Sequence, residues 1–270
     1  QAAMPSSFGM WFSAYAETLI DDITMLNAAL KVVNQNPLGS AAGYGSSFPI
    51  NRTFTTQELG FATLKFNSVA AQMSRGKSEK TVAFAMSSVA ATLAKFSMDV
   101  CLYMSQNFDF ISLPAHLTTG SSIMPHKKNP DVFELIRGKC NKIQALPYEI
   151  TLITNNLPSG YHREFQLLKE GLFPAIQNLK ACLDIAIFSI KDIKVKDNIL
   201  ADPKYNYLFT VDTLNEMVVA GMPFRDAYKA VAEQLENGTY ESPKATQHTH
   251  EGSINNLCLK EIKEKMQNAF

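Results

Sequence analysis

Between Val82 and Met104 the chain is apolar or small on nearly every side, with only Lys95 and Asp99 charged. A stretch of this length and character either crosses a bilayer or lies buried among other helices. Ser87, Ser88, Thr92 and Ser97 add polar groups to the two charges. Each central charge costs about 3 kcal/mol in hydrocarbon, which tells against insertion. The segment is therefore expected as the core helix of a bundle, and its neighbours have to be helices of comparable length.

Those neighbours are legible. Apolar residues recur at three- and four-residue steps from Phe8 to Val33, entered through Pro5-Ser6-Ser7 as a capping region. Five Gly or Pro residues between Asn34 and Asn51 break the pattern and predict a loop or short hairpin, with helical spacing resuming near Thr56. Asp131 to Asn155 predicts another long helix, bent at Pro147, and Glu164 to Ile190 one more. Strand-like alternation is nearly absent. The expected fold is all-α, a bundle of helices of ~25 residues and ~37 Å, about twice the ordinary length. The apolar surplus on such helices predicts packing against other subunits.

After Lys191 a charged stretch leads to shorter helical patterns, about Val211 to Ala220, Phe224 to Leu235 and Ile254 to Met266. A boundary near residue 194 is expected, with a long-helix domain over 1–193, incomplete at its N-terminus, and a small helical domain over 194–270. Nothing at the N-terminus has the pattern of a signal peptide, and helical spacing starts almost at once, as in a chain beginning inside a domain. Lys+Arg and Asp+Glu are both 25, so no global field draws the protein to nucleic acid or an anionic membrane. Cys101, Cys140, Cys182 and Cys258 show no CxxC spacing and are expected as reduced thiols of a cytoplasmic protein.

The residues that carry chemistry cluster from Thr118 to Pro130. Gly120 and Pro125 exclude a regular helix there, and the small residues are expected to leave backbone N–H groups free as an anion-binding nest. Lys127 and Lys128 add charge, while Asn129 and Pro130 suit the cap and first position of the next helix, whose dipole points into the loop. The product is a site for a carboxylate-bearing ligand with hydroxyls beside it. A serine in such a field can act as a base once water is excluded.

The run Gly120-Ser121-Ser122-Ile123-Met124-Pro125-His126-Lys127-Lys128-Asn129 resembles the signature loop of the fumarase/aspartase superfamily. The continuation Pro130-Asp131, with Glu134 and Arg137, is similar to the argininosuccinate lyase branch. So are Pro37 to Gly43, Leu157 to Tyr161 and Gly221 to Tyr228. The resemblance implies a carbon–nitrogen lyase that cleaves argininosuccinate reversibly to arginine and fumarate by anti β-elimination, the last step of arginine biosynthesis. It implies a homotetramer whose active sites are shared between subunits, and chemistry without metal or cofactor. Adenylosuccinate lyase keeps a similar loop, and crystallin-type members keep it without turnover.

Residue by residue, the resemblance makes Ser121 the base, with Ser122 the alternative by proximity. Lys127 and Asn129 hold a substrate carboxylate, and Glu134 pairs with a catalytic His. Arg75, Met124, Tyr161, Gln166 and Lys169 are expected at the substrate. The family's catalytic His precedes the stretch matched by Gln1-Ala2-Ala3-Met4-Pro5, so it falls before this sequence. A second departure lies beside Arg75, where the family usually has an acidic residue and this sequence has Gly76 and Lys77, with Ser78-Glu79 following. His248-Thr249-His250 with Glu251 is a weak ligand set and is expected as a surface turn.

Overall fold

The computed structural model describes residues 2–243 and 246–270, and its regular structure is almost entirely helical. The chain divides into two compact units: Thr18–Lys194 with the last two residues, and Val195–Asn268 with the residues up to Glu17. Helix α1 (Phe8–Val33) belongs partly to each. It starts where expected, because the Ser7 hydroxyl accepts the Met10 N–H at 3.1 Å.

The larger unit holds α2 (Arg52–Glu58), α3 (Ser68–Met73), α4 (Lys77–Tyr103), α5 (Asp131–Ile153) and α6 (Leu168–Ile190). Helices α4, α5 and α6 run up, down and up. Phe96 meets the Phe133 ring edge-on at 6.0 Å near one end of α5, while Gly76 abuts Thr154 at the other. Along α4 the inward positions are Ala83, Ala85, Ala90, Ala94 and Ser97, all buried. On α5 Phe133, Ile136, Cys140 and Ile150 are buried in turn, Phe133 against Phe96 of α4 and Cys140 against Cys182 of α6. The Ser97 hydroxyl is satisfied by the Leu93 carbonyl at 2.8 Å. The second half of α1 is pinned to α4 by a 2.5 Å bond from Ser88 Oγ to the buried carboxylate of Asp22. Lys95 and Asp99 stand outside the buried stripe, on the exposed and half-buried side of α4.

In the larger unit two helix starts differ from the sequence expectation. Helix α4 begins five residues earlier than Val82, because Glu79 accepts the Gly76 N–H and closes its first turn. The 163–190 segment is a short 3-10 turn, Arg163–Gln166, followed by α6. Residues 34–51 form the loop of the two expected alternatives, and at its start Gln35–Asn36 pairs in parallel with Thr63–Leu64. The arch is held by Arg52, whose guanidinium donates to the carbonyls of Leu38, Phe66 and Lys65, each at 2.8 Å. Among the described residues two spans, Lys77–Tyr103 and Arg163–Ile190, are long and apolar enough by length and composition to cross a membrane. Half of the apolar window of the first is buried against its neighbours, as in a core helix.

In the smaller unit α7 (Thr210–Val219) and α8 (Phe224–Glu236) form a hairpin around Leu214, Ala227 and Val231. The turn between them uses Gly221 at φ +101°. Helix α9 (Leu259–Asn268) starts later than the apolar pattern implies. His248 lies 2.6 Å from the Asp212 carboxylate and ties the preceding strap to α7.

Cys140 of α5 faces Cys182 of α6, both buried and both free thiols. Burial, reinforced by Cys182, pushes the Cys140 thiol up to about 12 from 9.0. An unfolded chain ionises this group near 9.0 while the folded one does not. Its contribution to stability is thus complete below that pH and declines as pH rises towards about 12. Urea titrations across this range should show Cys140→Ala losing stability less steeply with pH than the parent. Near neutral pH neither thiol should react with a thiol reagent until the protein unfolds.

Candidate active site

The signature run forms a small hairpin at the N-terminal end of α5. Thr119–Gly120 pairs antiparallel with Lys128–Asn129, a closure that alternation does not reveal because each strand has only two residues. The Asn129 amide donates to the Thr119 carbonyl at 3.2 Å, and Thr119 Oγ1 donates to Asp131. Asn129 therefore does not cap α5, contrary to expectation. Pro130 occupies the cap position and accepts the Phe133 and Glu134 N–H groups at 2.9 and 3.1 Å. Asp131 and Glu134 fill the first turn, where carboxylates suit the helix dipole.

Within the loop, Ser121 Oγ accepts the N–H groups of Met124 at 3.1 Å and Ile123 at 3.3 Å. The Lys127 N–H goes to the Met124 carbonyl at 3.0 Å. These amides are thus turned inward, and the expected open nest is not formed. The chemical effect falls instead on one hydroxyl. Two N–H donors aimed at Ser121 Oγ stabilise its deprotonated form, and Lys127 and Lys128 follow in the same loop. Ser122 is exposed and makes no hydrogen bond among the described residues. Met124, His126 and Lys127 are exposed too, so the loop presents its chemistry outward.

A second cluster stands at the other end of α5. A cleft of about 320 Å³ is lined by Arg75, Lys77, Lys80, Thr154, Phe165 and residues 157–160. Arg75 Nε pairs with Glu79 Oε1 at 3.3 Å, and its Nη2 donates to the Phe165 carbonyl at 3.0 Å. The guanidinium also stacks over the Phe165 ring, 5.8 Å from its centroid. Just beyond, Gln166 donates to the Tyr161 hydroxyl at 3.0 Å, and Lys169 stands exposed in the first turn of α6.

The predicted site residues thus fall into two groups. Ser121, Ser122, Met124, Lys127, Asn129 and Glu134 share one end of α5, and Arg75, Tyr161, Gln166 and Lys169 the other. The 23-residue helix between them is about 35 Å long. Among the described residues no hydrogen bond or ion pair joins the groups within the chain.

The structure accounts for the missing acidic residue beside Arg75. Gly76 has φ +79°, and a Cβ there would lie 2.5 Å from Thr154 Cγ2. A carboxylate side chain has no room at 76, and Glu79 supplies one from the next turn. Gly76→Ala should cost about 1–3 kcal/mol from the backbone alone, with the clash adding to it. Combining it with Thr154→Ser should recover the clash but not the backbone term. Denaturant melts showing an unperturbed single variant would contradict this account.

A family model described as "Lyase" matches residues 1–145. The argininosuccinate lyase of Parabacteroides distasonis is 58% identical over 270 residues, covering 100% of this chain and 60% of that protein. That of Bacteroides fragilis is 58% identical over 267 residues, 99% of this chain and 60% of that protein. One from Xanthomonas campestris pv. campestris is 41% identical over 232 residues, 86% of this chain and 54% of that protein. The chain spans about 60% of the length of the first two. Among solved structures, an EDDS lyase in complex with formate superposes with a TM-score of 0.81 at 20% identity, covering 99% of this chain and 60% of that one. A class II fumarase from Schistosoma mansoni gives 0.72 at 19% identity, with the same coverage. At those identities the likeness establishes the fold, a long-helix bundle of the fumarase/aspartase type.

Proposed function

We propose, because this chain belongs to the lyase family, that it supplies the base and the carboxylate clamp for cleaving argininosuccinate to arginine and fumarate. The observation that carries this reading is the Ser121 hydroxyl, which accepts two backbone N–H bonds in a loop that also holds Lys127. Ser121, as alkoxide, removes a proton from the succinyl Cβ. Charge then moves onto the neighbouring carboxylate, where Lys127 and the free amide hydrogen of Asn129 stabilise it. The C–N bond breaks as the electron pair moves back, giving fumarate and releasing the guanidino nitrogen of arginine. Glu134, in the first turn of α5, orients the His that protonates the leaving nitrogen. Ser122 and Met124 flank the substrate. No metal or cofactor takes part.

Tyr161, Gln166, Lys169 and Arg75 act on the arginine half, and the α5 span dictates how they meet the loop. A site needing both ends of a helix about 35 Å long cannot be assembled by one copy, so each site takes its loop from one subunit and its cleft from another. Exposed apolar side chains on the long helices support such an assembly: Phe84, Met98, Leu135, Leu152, Phe173 and Ile187 are all at least 46% exposed. Burying the part that each still exposes gains roughly 1–2 kcal/mol. The assembly is a homotetramer, with residues 194–270 as a small appended helical domain.

Two measurements test this, both on the enzyme completed to its relatives' length. Ser121→Ala should lower fumarate release from argininosuccinate by at least ~10²-fold while the oligomer persists. Release from adenylosuccinate, with none from argininosuccinate, would replace the substrate. Co-assembling Ser121→Ala subunits with Arg75→Ala subunits should restore part of the activity that each lacks alone. Mixed oligomers as inactive as either parent would mean that one subunit provides both groups.

A further inference from the structure

The cleft at the C-terminal end of α5 holds more positive charge than its surroundings balance. Arg75, Lys77 and Lys80 line it, and among the described residues neither lysine makes an ion pair. Glu79 is the carboxylate that engages the group, and it does so in a fixed way. Its Oε2 accepts the Gly76 N–H at 2.7 Å and its Oε1 takes Arg75 Nε at 3.3 Å. One side chain thus closes the first turn of α4 and grips the arginine. The Phe165 carbonyl takes Nη2 at 3.0 Å, and the Phe165 ring centroid lies 5.8 Å from Arg75 Cζ.

The consequence is geometric. A guanidinium has two edges that can fork onto a carboxylate. Glu79 takes the Nε–H and the Phe165 carbonyl takes one hydrogen of Nη2. What remains is the end-on edge, Nη1 with the second Nη2 hydrogen, in a cleft flanked by two ammonium groups. The arginine side chain is a third exposed and the glutamate a fifth, so the pair is partly shielded from water. An unrestrained arginine would spread its donors over many rotamers and lose entropy on binding.

We infer that Glu79 is a positioning residue, which holds Arg75 so that its end-on edge receives a carboxylate of the amino-acid half of the substrate. This rests on Arg75 being a substrate contact, as proposed above. Glu79 does not touch the ligand; it acts through Arg75, and the Gly76 conformation places it there.

The test uses the enzyme completed to its relatives' length, with E79Q, R75A and the double variant. The glutamine oxygen can still accept the Gly76 N–H, so E79Q should unfold at the parent's temperature. Its KM for argininosuccinate should rise about tenfold, with kcat changed less than about twofold. In the R75A background E79Q should add nothing. An unchanged KM in E79Q beside a raised KM in R75A would overturn the positioning role. So would a full additional loss in the double variant, since Glu79 would then act by another route. If R75A itself leaves KM unchanged, the substrate contact fails and the inference with it. Should E79Q fail to fold, hydrogen exchange in the unaltered protein decides: the Arg75 Nε–H should be protected, and exchange as fast as in free arginine would overturn the inference.

Discussion

Helix α5 is gripped along its length by the small-residue face of α4 on one side and by α6 on the other, and the placement of everything chemical depends on that grip. Phe133, Ile136, Cys140 and Ile150 are buried in series along it. Its 23 residues, about 35 Å of helix, stand between the serine hairpin and the arginine cleft. The close approach is made possible by alanines and by Ser97, whose hydroxyl spends its donor on its own helix. Larger side chains at those positions would separate the helices and leave voids beside Phe133.

The bundle was the more legible part. An apolar run with two charges four apart excluded a bilayer span on energetic grounds, and three further periodic stretches supplied its neighbours. Boundaries were less legible where the deciding interaction is a single hydrogen bond. Helix α4 starts at Lys77 because Glu79 reaches back to Gly76, and periodicity carries no trace of such a bond. The parallel pairing of residues 35–36 with 63–64 is likewise invisible in a two-residue strand, and Arg52 sustains it through backbone carbonyls that have no sequence signature.

The site was legible as a set of residue types and less so as an arrangement. Glycine, serines and lysines between two buried helices pointed to an anion-handling loop. They did not reveal that the Ile123 and Met124 amides turn onto Ser121 rather than outward. That difference matters chemically, because it concentrates on one hydroxyl the polarisation that an open nest would spread over a bound ligand. Nor could Asn129 be read as a strand residue, since its fitness as a helix cap was equally good on local grounds.

The Gly76 and Glu79 pair is also coupled through the backbone. A carboxylate directly after the arginine and a carboxylate one turn later are alternative solutions to one problem, but no neutral single step connects them. Adding the first while Gly76 is needed sets a side chain against Thr154, and discarding the second first leaves the arginine without its anchor. Moving the carboxylate to position 76 therefore takes a change at Thr154 as well, before Glu79 can be released from Arg75.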